Sequence, residues 1–386
     1  MKRTIACTVA VLLGLAGCGS SPGHKAHDDA AMEVSSDGMR LDSDLDGDGG
    51  ADSTFLVYAA ELNGTISVYR SNAALDLEPV GSATKGTSMR FLAFFRPSAT
   101  RLYAVNESRI DAFSLESDLP SFLGSAAMAA QGTHLEVDHS GRWIIAVSFQ
   151  GNTIQIVPVQ ANGVPSAPSQ TFGAPGEPDF CKRPHQVRIH PQNRWVYIPC
   201  RDSDHVVRFA LDSDTGVLTS LGQVATPAGT GPRHMDFHPS LDIVYVIGEN
   251  SSHVVVYTLN PTSGALSQKQ DISTLPPSIT EGSLGSDIHV SPDGNYVYAI
   301  NRGSRNELVI MKVHADGTLS RQSALSTHGT GARTFAPSPD GRWLVVGNTT
   351  SPNLATFSVN NATGDLAFMR TYTPFNSNVF YVGVRP

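Results

Sequence analysis

From residue 54 onward, apolar and polar positions alternate with a period of two in short runs, interrupted by Gly, Pro, Asn, Asp and Ser. This is the pattern of half-buried antiparallel strands joined by tight turns. The clearest case begins at Arg183. Gln186 to His190 alternates, Pro191-Gln192-Asn193 supplies turn chemistry, and Trp195 to Ile198 is aromatic and β-branched. Val206 to Leu211 reads as a third strand, Asp212 to Gly216 as a turn, and Leu218 to Val224 as a fourth strand. Together they predict one four-stranded antiparallel blade.

The pattern recurs. Gly231 to Pro239 leads into Ile243 to Ile247, Ser286 to Gly294 into Tyr296 to Ile300, and Ala332 to Gly341 into Trp343 to Val346. Looser copies begin at Arg90 and His134. Taking Pro97, His139, Pro191, Pro239, Pro292 and Pro339 as equivalent turn positions, the gaps are 42, 52, 48, 53 and 47 residues. A period of about 40–50 residues holding four strands predicts a β-propeller. Residues 54–82 supply three strands without a leading one, and Asn378 to Val384 supplies the missing strand at the other end of the chain. Closing the first blade with the C-terminal strand removes exposed sheet edges. The expected fold is all-β, a seven-bladed propeller with four antiparallel strands per blade.

Ahead of the propeller, Lys2 and Arg3 precede an apolar run from Ile5 to Leu15, followed by Leu15-Ala16-Gly17-Cys18. The run is short for a membrane span and reads as an export signal over 1–17. Its ending resembles the bacterial lipoprotein box, which implies lipidation of Cys18 and anchoring in the cell envelope, at the outer membrane facing the periplasm or the surface. Residues 18–53 are small, polar and acidic, the composition of a flexible tether. Asp44-x-Asp46-x-Asp48-Gly49 begins like a calcium loop, but Phe55 stands where an EF-hand needs its bidentate Glu. The first 53 residues hold nine of the 35 acidic and four of the 27 basic residues. The propeller, residues 54–386, is therefore left with 23 basic against 26 acidic residues, a net of −3. So even a balance carries no nucleic-acid footprint, and a monomer is expected. With Cys7 in the signal and Cys18 lipidated, Cys181 and Cys200 remain, and in an exported chain they suggest a disulfide. The hairpin places His185 roughly opposite Cys200, four residues from Cys181.

Because the strands are antiparallel, the start of each first strand and the end of each second strand lie at one mouth of the tunnel. Those positions read His134, His185, Arg201, Arg233, His234, Glu249, Asn250, Asp287, His289, Asn301, Arg302, Arg333 and Asn348. The opposite ends are turn formers such as Pro-Asp-Gly. Converging imidazole, guanidinium and carboxylate groups predict a site for an anionic small molecule. His190 and His238 precede the turn proline and read as turn residues. His234 and His289 read equally as packing groups, and Arg302 and Arg333 equally as clamps between blades.

The ordered set Pro184-His185, Gly231-Pro232-Arg233-His234, Gly248-Glu249-Asn250, Ile288 to Gly294 and Asn301-Arg302-Gly303 resembles the bacterial seven-bladed propeller lactonase family. That family includes 6-phosphogluconolactonase and is similar to the carboxy-cis,cis-muconate cyclase. The resemblance implies opening of a lactone without cofactor or metal. His185 and Glu249 would be the acid/base pair, with Arg233 and Arg302 holding the substrate or its developing oxyanion. His234, Asp287, His289, Asn301 and Arg333 would complete the binding surface. Cys200, Asp287 and Gly331-Ala332-Arg333 depart from the family's usual residues. Export points away from a cytoplasmic sugar phosphate and toward a periplasmic sugar-type or aromatic-derived lactone. No Gly-x-Ser-x-Gly elbow suggests an acyl-enzyme. The alternative is a non-catalytic envelope propeller that binds a ligand or a protein partner.

Overall fold

The computed structural model describes residues 54–385 apart from 73, 75, 87, 96–97, 174–179, 280–282 and 374. The signal, Cys18, the tether with its Asp44–Asp48 motif, and the Pro97 turn lie outside the described residues. The rest forms seven four-stranded antiparallel sheets, the blades of a propeller. Blade 1 is led by the C-terminal strand Val379–Val384, followed outward by Leu56–Glu61, Thr65–Ser71 and Leu77–Thr84. The inner strands of blades 2 to 7 are Phe91–Phe94, His134–Val137, Arg188–Ile189, Pro232–Phe237, Ser283–Val290 and Ala332–Pro337. Val57 pairs with Val384 and Ala59 with Val382, so the two ends of the chain close the ring.

Each blade is too thin to bury its own faces, so the core lies between neighbours. Ile198 and Phe209 of blade 4 pack with Ile145 and Ile156 of blade 3. On the other face Tyr197 and Trp195 pack with Val246 and Tyr257 of blade 5. Full burial of such side chains stabilises by about 1.5–3 kcal/mol each. A buried tyrosine also needs a partner for its hydroxyl. Tyr103, Tyr197, Tyr245 and Tyr298 occupy the same place on the second strand of their blades. Each donates to the carbonyl of a turn glycine in the next blade: Gly163, Gly264, Gly317 and Gly364, at 2.8–3.2 Å. Gly264 shows why glycine is needed there. Its φ is +66°, and a Cβ would lie 2.7 Å from the Trp195 ring. His190 and His238 are turn residues as expected, accepting turn N–H groups at Nδ1.

The inner strands are tied sideways by side chains. Glu136 accepts the N–H of Ile189, Gln186 that of Met235, Asp236 that of Val290, Asp287 that of Phe335, and Thr334 that of Val382, all at 2.7–3.1 Å. Each bond joins one blade to the next, so much of the polar tunnel wall satisfies backbone groups that would otherwise be buried unpaired. Near one mouth the inner strands of blades 1, 5, 6 and 7 carry a one-residue bulge. In blades 5, 7 and 1 the extra residues are Arg233, Arg333 and Phe380.

Blade 4 departs from expectation. Only Arg188–Ile189 of the stretch from Gln186 to His190 is laddered strand. Arg188 faces Tyr197, yet Pro184, and not His185, faces Cys200. The inner strand spends one more residue than its partner over that interval, so the register inferred from simple alternation slips by one. Cys181 and Cys200 form a disulfide with Cα atoms 5.1 Å apart.

Candidate active site

A bulge re-aims a side chain relative to regular alternation, and here it builds a cavity. Arg333 and Phe380 come from bulged inner strands, and Glu249 and Arg302 from the ends of second strands. With Arg90, Gln131, Thr133, Phe149, Gln150 and His185 they enclose about 230 Å³ at the tunnel mouth. A narrower extension is walled by His134, Arg233, His234 and Thr334.

Glu249 is the carboxylate of the cavity, and it is clamped. Arg233 Nε lies 3.0 Å from Oε2, while Arg302 Nη2 at 3.0 Å and Arg201 Nε at 3.2 Å approach Oε1. Burial pushes its pKa up, but the guanidiniums of Arg233, Arg302 and Arg201 outweigh that and hold it below the ordinary value. Arg233 is 1% exposed and also donates to the Ser286 carbonyl. Burial and the nearby Arg302 lower its pKa to about 10, so it stays charged at neutral pH.

Arg333 and Arg90 differ from these arginines. Among the described residues neither has a carboxylate within ion-pair distance; their guanidiniums lie 3.8 and 5.1 Å from the Phe380 ring. Burial and the charges of Arg233 and Arg302 press the Arg333 pKa well down. A guanidinium keeps its proton in proteins, so the mouth holds uncompensated positive charge. His185 is 6% exposed, and its Nδ1 is buried without a partner among the described residues. Burial, then Arg233 and His234, push its pKa well below the usual histidine value, leaving a neutral imidazole.

The remaining expected residues make contacts between or within blades, although His234 also walls the narrower extension. His234 Nδ1 lies 2.6 Å from Asp287 Oδ1. Burial and Arg233 hold its pKa at about 4 against the pull of Asp287. His289 stands 3.5 Å from Asp287 and 3.7 Å from Asp236. Burial lowers its pKa, but the two carboxylates outweigh this and bring it to about 9. Asp236 also pairs with Arg188, giving a charged belt deeper in the tunnel wall. Neither His289 nor Asp287 lines the cavity. Asn301, expected at the substrate, is fully buried inside blade 6, accepting from Thr274 and donating to Glu307. Asn106 bonded to Asp111 and Asn348 bonded to Asn353 do the same work at the same place in blades 2 and 7. That recurrence is a structural signature readable in the repeats. Phe149, Phe380 and Arg90 were missed because two are apolar and the third begins a loose copy. Phe149 does occupy the position of Glu249 in blade 3.

Among the described residues no three His, Cys, Asp or Glu side chains converge as a metal site. The donor set of the cavity, guanidiniums around one clamped carboxylate, suits an anion better than a cation.

Residues 55–382 match the family described as "Lactonase, 7-bladed beta-propeller". The chain belongs to this lactonase family. A lactonase-family relative, the 6-phosphogluconolactonase of Yersinia pestis (strain Pestoides F), is 30% identical over 266 residues, covering 68% of this chain and 76% of its own. That of Klebsiella pneumoniae is 28% identical over 257 residues, covering 66% and 75%. A similar propeller fold appears in the structure of the Pseudomonas aeruginosa periplasmic gluconolactonase. It has a TM-score of 0.79 and 23% identity, covering 86% of this chain and 99% of that one. A putative 6-phosphogluconolactonase from Bacteroides fragilis gives 0.78 and 22%, covering 88% and 99%. These likenesses concern the fold.

Proposed function

We propose that this lactonase-family protein hydrolyses an anionic or sugar-type lactone at the tunnel mouth by acid/base chemistry carried by its own side chains. The observation that carries the reading is His185, which lines a cavity also walled by Arg302 and the uncompensated Arg333 and whose Nδ1 has no partner among the described residues. Lactone hydrolysis needs a proton acceptor for water and positive charge at the carbonyl oxygen. His185 accepts the proton as the water oxygen bonds to the carbonyl carbon. The guanidiniums of Arg302 and Arg333 receive the oxyanion. The ring C–O bond then breaks, and the leaving alkoxide regains the proton from His185, yielding a hydroxy acid. Glu249 keeps its negative charge and fixes Arg201, Arg233 and Arg302 around the substrate, a positioning role that replaces the expected proton transfer.

The Yersinia pestis relative supports a sugar lactone as the first substrate to test. The lipoprotein-type start supports an exported, envelope-anchored protein, and the likeness in fold to the Pseudomonas aeruginosa periplasmic gluconolactonase is consistent with that location. Proton release would be followed with 6-phosphogluconolactone, gluconolactone and muconolactone, with and without chelator. Turnover that persists in chelator and falls by about 10²-fold in His185→Ala supports the proposal. A flat panel, with binding of anions retained, would favour the non-catalytic propeller.

A further inference from the structure

We infer that the Cys181–Cys200 disulfide is a positioning device for the candidate active site, doing at the mouth of blade 4 what a β-ladder does in the other blades. The inference rests on the proposed use of His185 and Arg201, but its structural core stands without that use. Blade 4 has the shortest inner strand, two residues against four to eight in the others. Mouthward of Arg188 the hydrogen-bonding groups are diverted. The N–H of Val187 points to His134 of blade 3 at 3.4 Å. Pro184 faces Cys200 and has no N–H to give. Arg183 sits at φ +55°, a left-handed conformation that non-glycine residues rarely adopt. What remains between the two backbones is three bonds, His185 N–H to Pro199, Arg201 N–H to Arg183 and Asp202 N–H to Lys182, at 3.0–3.2 Å; the Lys182 N–H to Ser203 Oγ bond and the Arg183–Asp202 ion pair, each at 2.9 Å, stand beside them.

The disulfide closes this short-laddered stretch from both sides. Cys181 begins the segment that ends in His185, and Cys200 directly precedes Arg201, whose Nε lies 3.2 Å from Glu249. Both cysteines are buried, so the bridge is a fixed staple and not an exposed redox contact. It lies within one hairpin, away from the Val57–Val384 pairing in blade 1 that closes the ring. Its constraint therefore falls on the proton acceptor and on one of the arginines that hold Glu249. An oxidising compartment would then complete the site as well as the fold.

Hydrogen exchange followed by mass spectrometry, on the oxidised protein and on the double variant Cys181→Ala/Cys200→Ala, tests this without a substrate. In the oxidised protein, peptides spanning 181–187 should be protected like the inner strands of blades 5 and 7. In the variant, exchange over 181–187 and 199–203 should rise tenfold or more, while 243–248 and 343–348 stay within about twofold. For any lactone the wild type turns over, kcat of the variant should fall ten- to hundredfold, the range expected from misplacing a catalytic group by about 1 Å. Loop-like exchange of 181–187 in the oxidised protein would overturn the inference even if the variant fails to fold. A uniform rise across all blades, or an unchanged kcat in the folded variant, would overturn it too. If no lactone is turned over, the exchange data alone decide, and only the proposed function fails.

Discussion

Replacing Glu249 by glutamine removes the one negative charge shared by three guanidiniums. Arg201 and Arg302 are 23% and 20% exposed, so water can take over much of their solvation, whereas Arg233 is 1% exposed. Two unit charges about 4 Å apart are worth about 4 kcal/mol at an effective dielectric of 20 and about 1 kcal/mol in water. The gross loss is then roughly 6 kcal/mol, most of it at Arg233. The glutamine carbonyl keeps hydrogen bonds to charged donors worth about 1.5–3 kcal/mol each. With one such bond retained, a net destabilisation of about 3–5 kcal/mol follows, in the range for breaking a buried pair. The folded-state pKa of Glu249 lies below its ordinary 4.5. Its contribution is therefore present above the unfolded value and is lost as pH falls through the folded one. Urea unfolding of wild type and Glu249→Gln at pH 7 should differ by about 3 kcal/mol or more, and the difference should shrink below pH 4.5. A difference under about 1 kcal/mol at pH 7, or one indifferent to acid, would refute the clamp, since a surface pair is worth no more than that.

Other consequences are equally direct. With the His185 pKa held well below 6.5, a proton acceptor there stays competent as pH falls past 6.5; the acid limb of kcat/KM should lie below that value, and a midpoint at or above 6.5 would remove His185 from the role. His289, raised to about 9 between Asp236 and Asp287, contributes stability that is full below about 6.5 and is lost as pH rises through 9. At 29% side-chain exposure the loss should be about 2 kcal/mol, and His289→Leu should abolish that slope in unfolding free energy. Tyr245→Phe leaves the Gly317 carbonyl without its 3.0 Å donor and should cost about 1 kcal/mol in urea unfolding. Truncation after Ser377 exposes the edge of Leu56–Glu61 and removes the ring closure; size-exclusion chromatography should show aggregates, and a stable monomer would contradict the closure argument.

The amino-acid sequence alone determined the architecture, because blade-forming information is local. Alternation along Trp195–Ile198, turn residues at Pro292-Asp293-Gly294 and a spacing near 50 residues all act within one hairpin, and seven such units have few ways to close. The ends of the hairpins also marked which mouth carries the polar groups. What the tertiary structure decided was the direction in which each of those groups points and what it meets. A bulge of one residue turns Arg233 and Arg333 toward the cavity, while their neighbours His234 and Thr334 take up contacts between blades. Asn301 and Arg302 are adjacent in sequence, yet one is sealed inside its blade and the other reaches Glu249. The partners lie about 50 residues away on the next blade, as in His234 with Asp287 or Asp287 with Phe335. Alternation has a period of two and holds no record of such contacts. Charge compensation has the same origin: Glu249 is neutralised and Arg333 is not, a difference that arises only once the blades are packed in a ring.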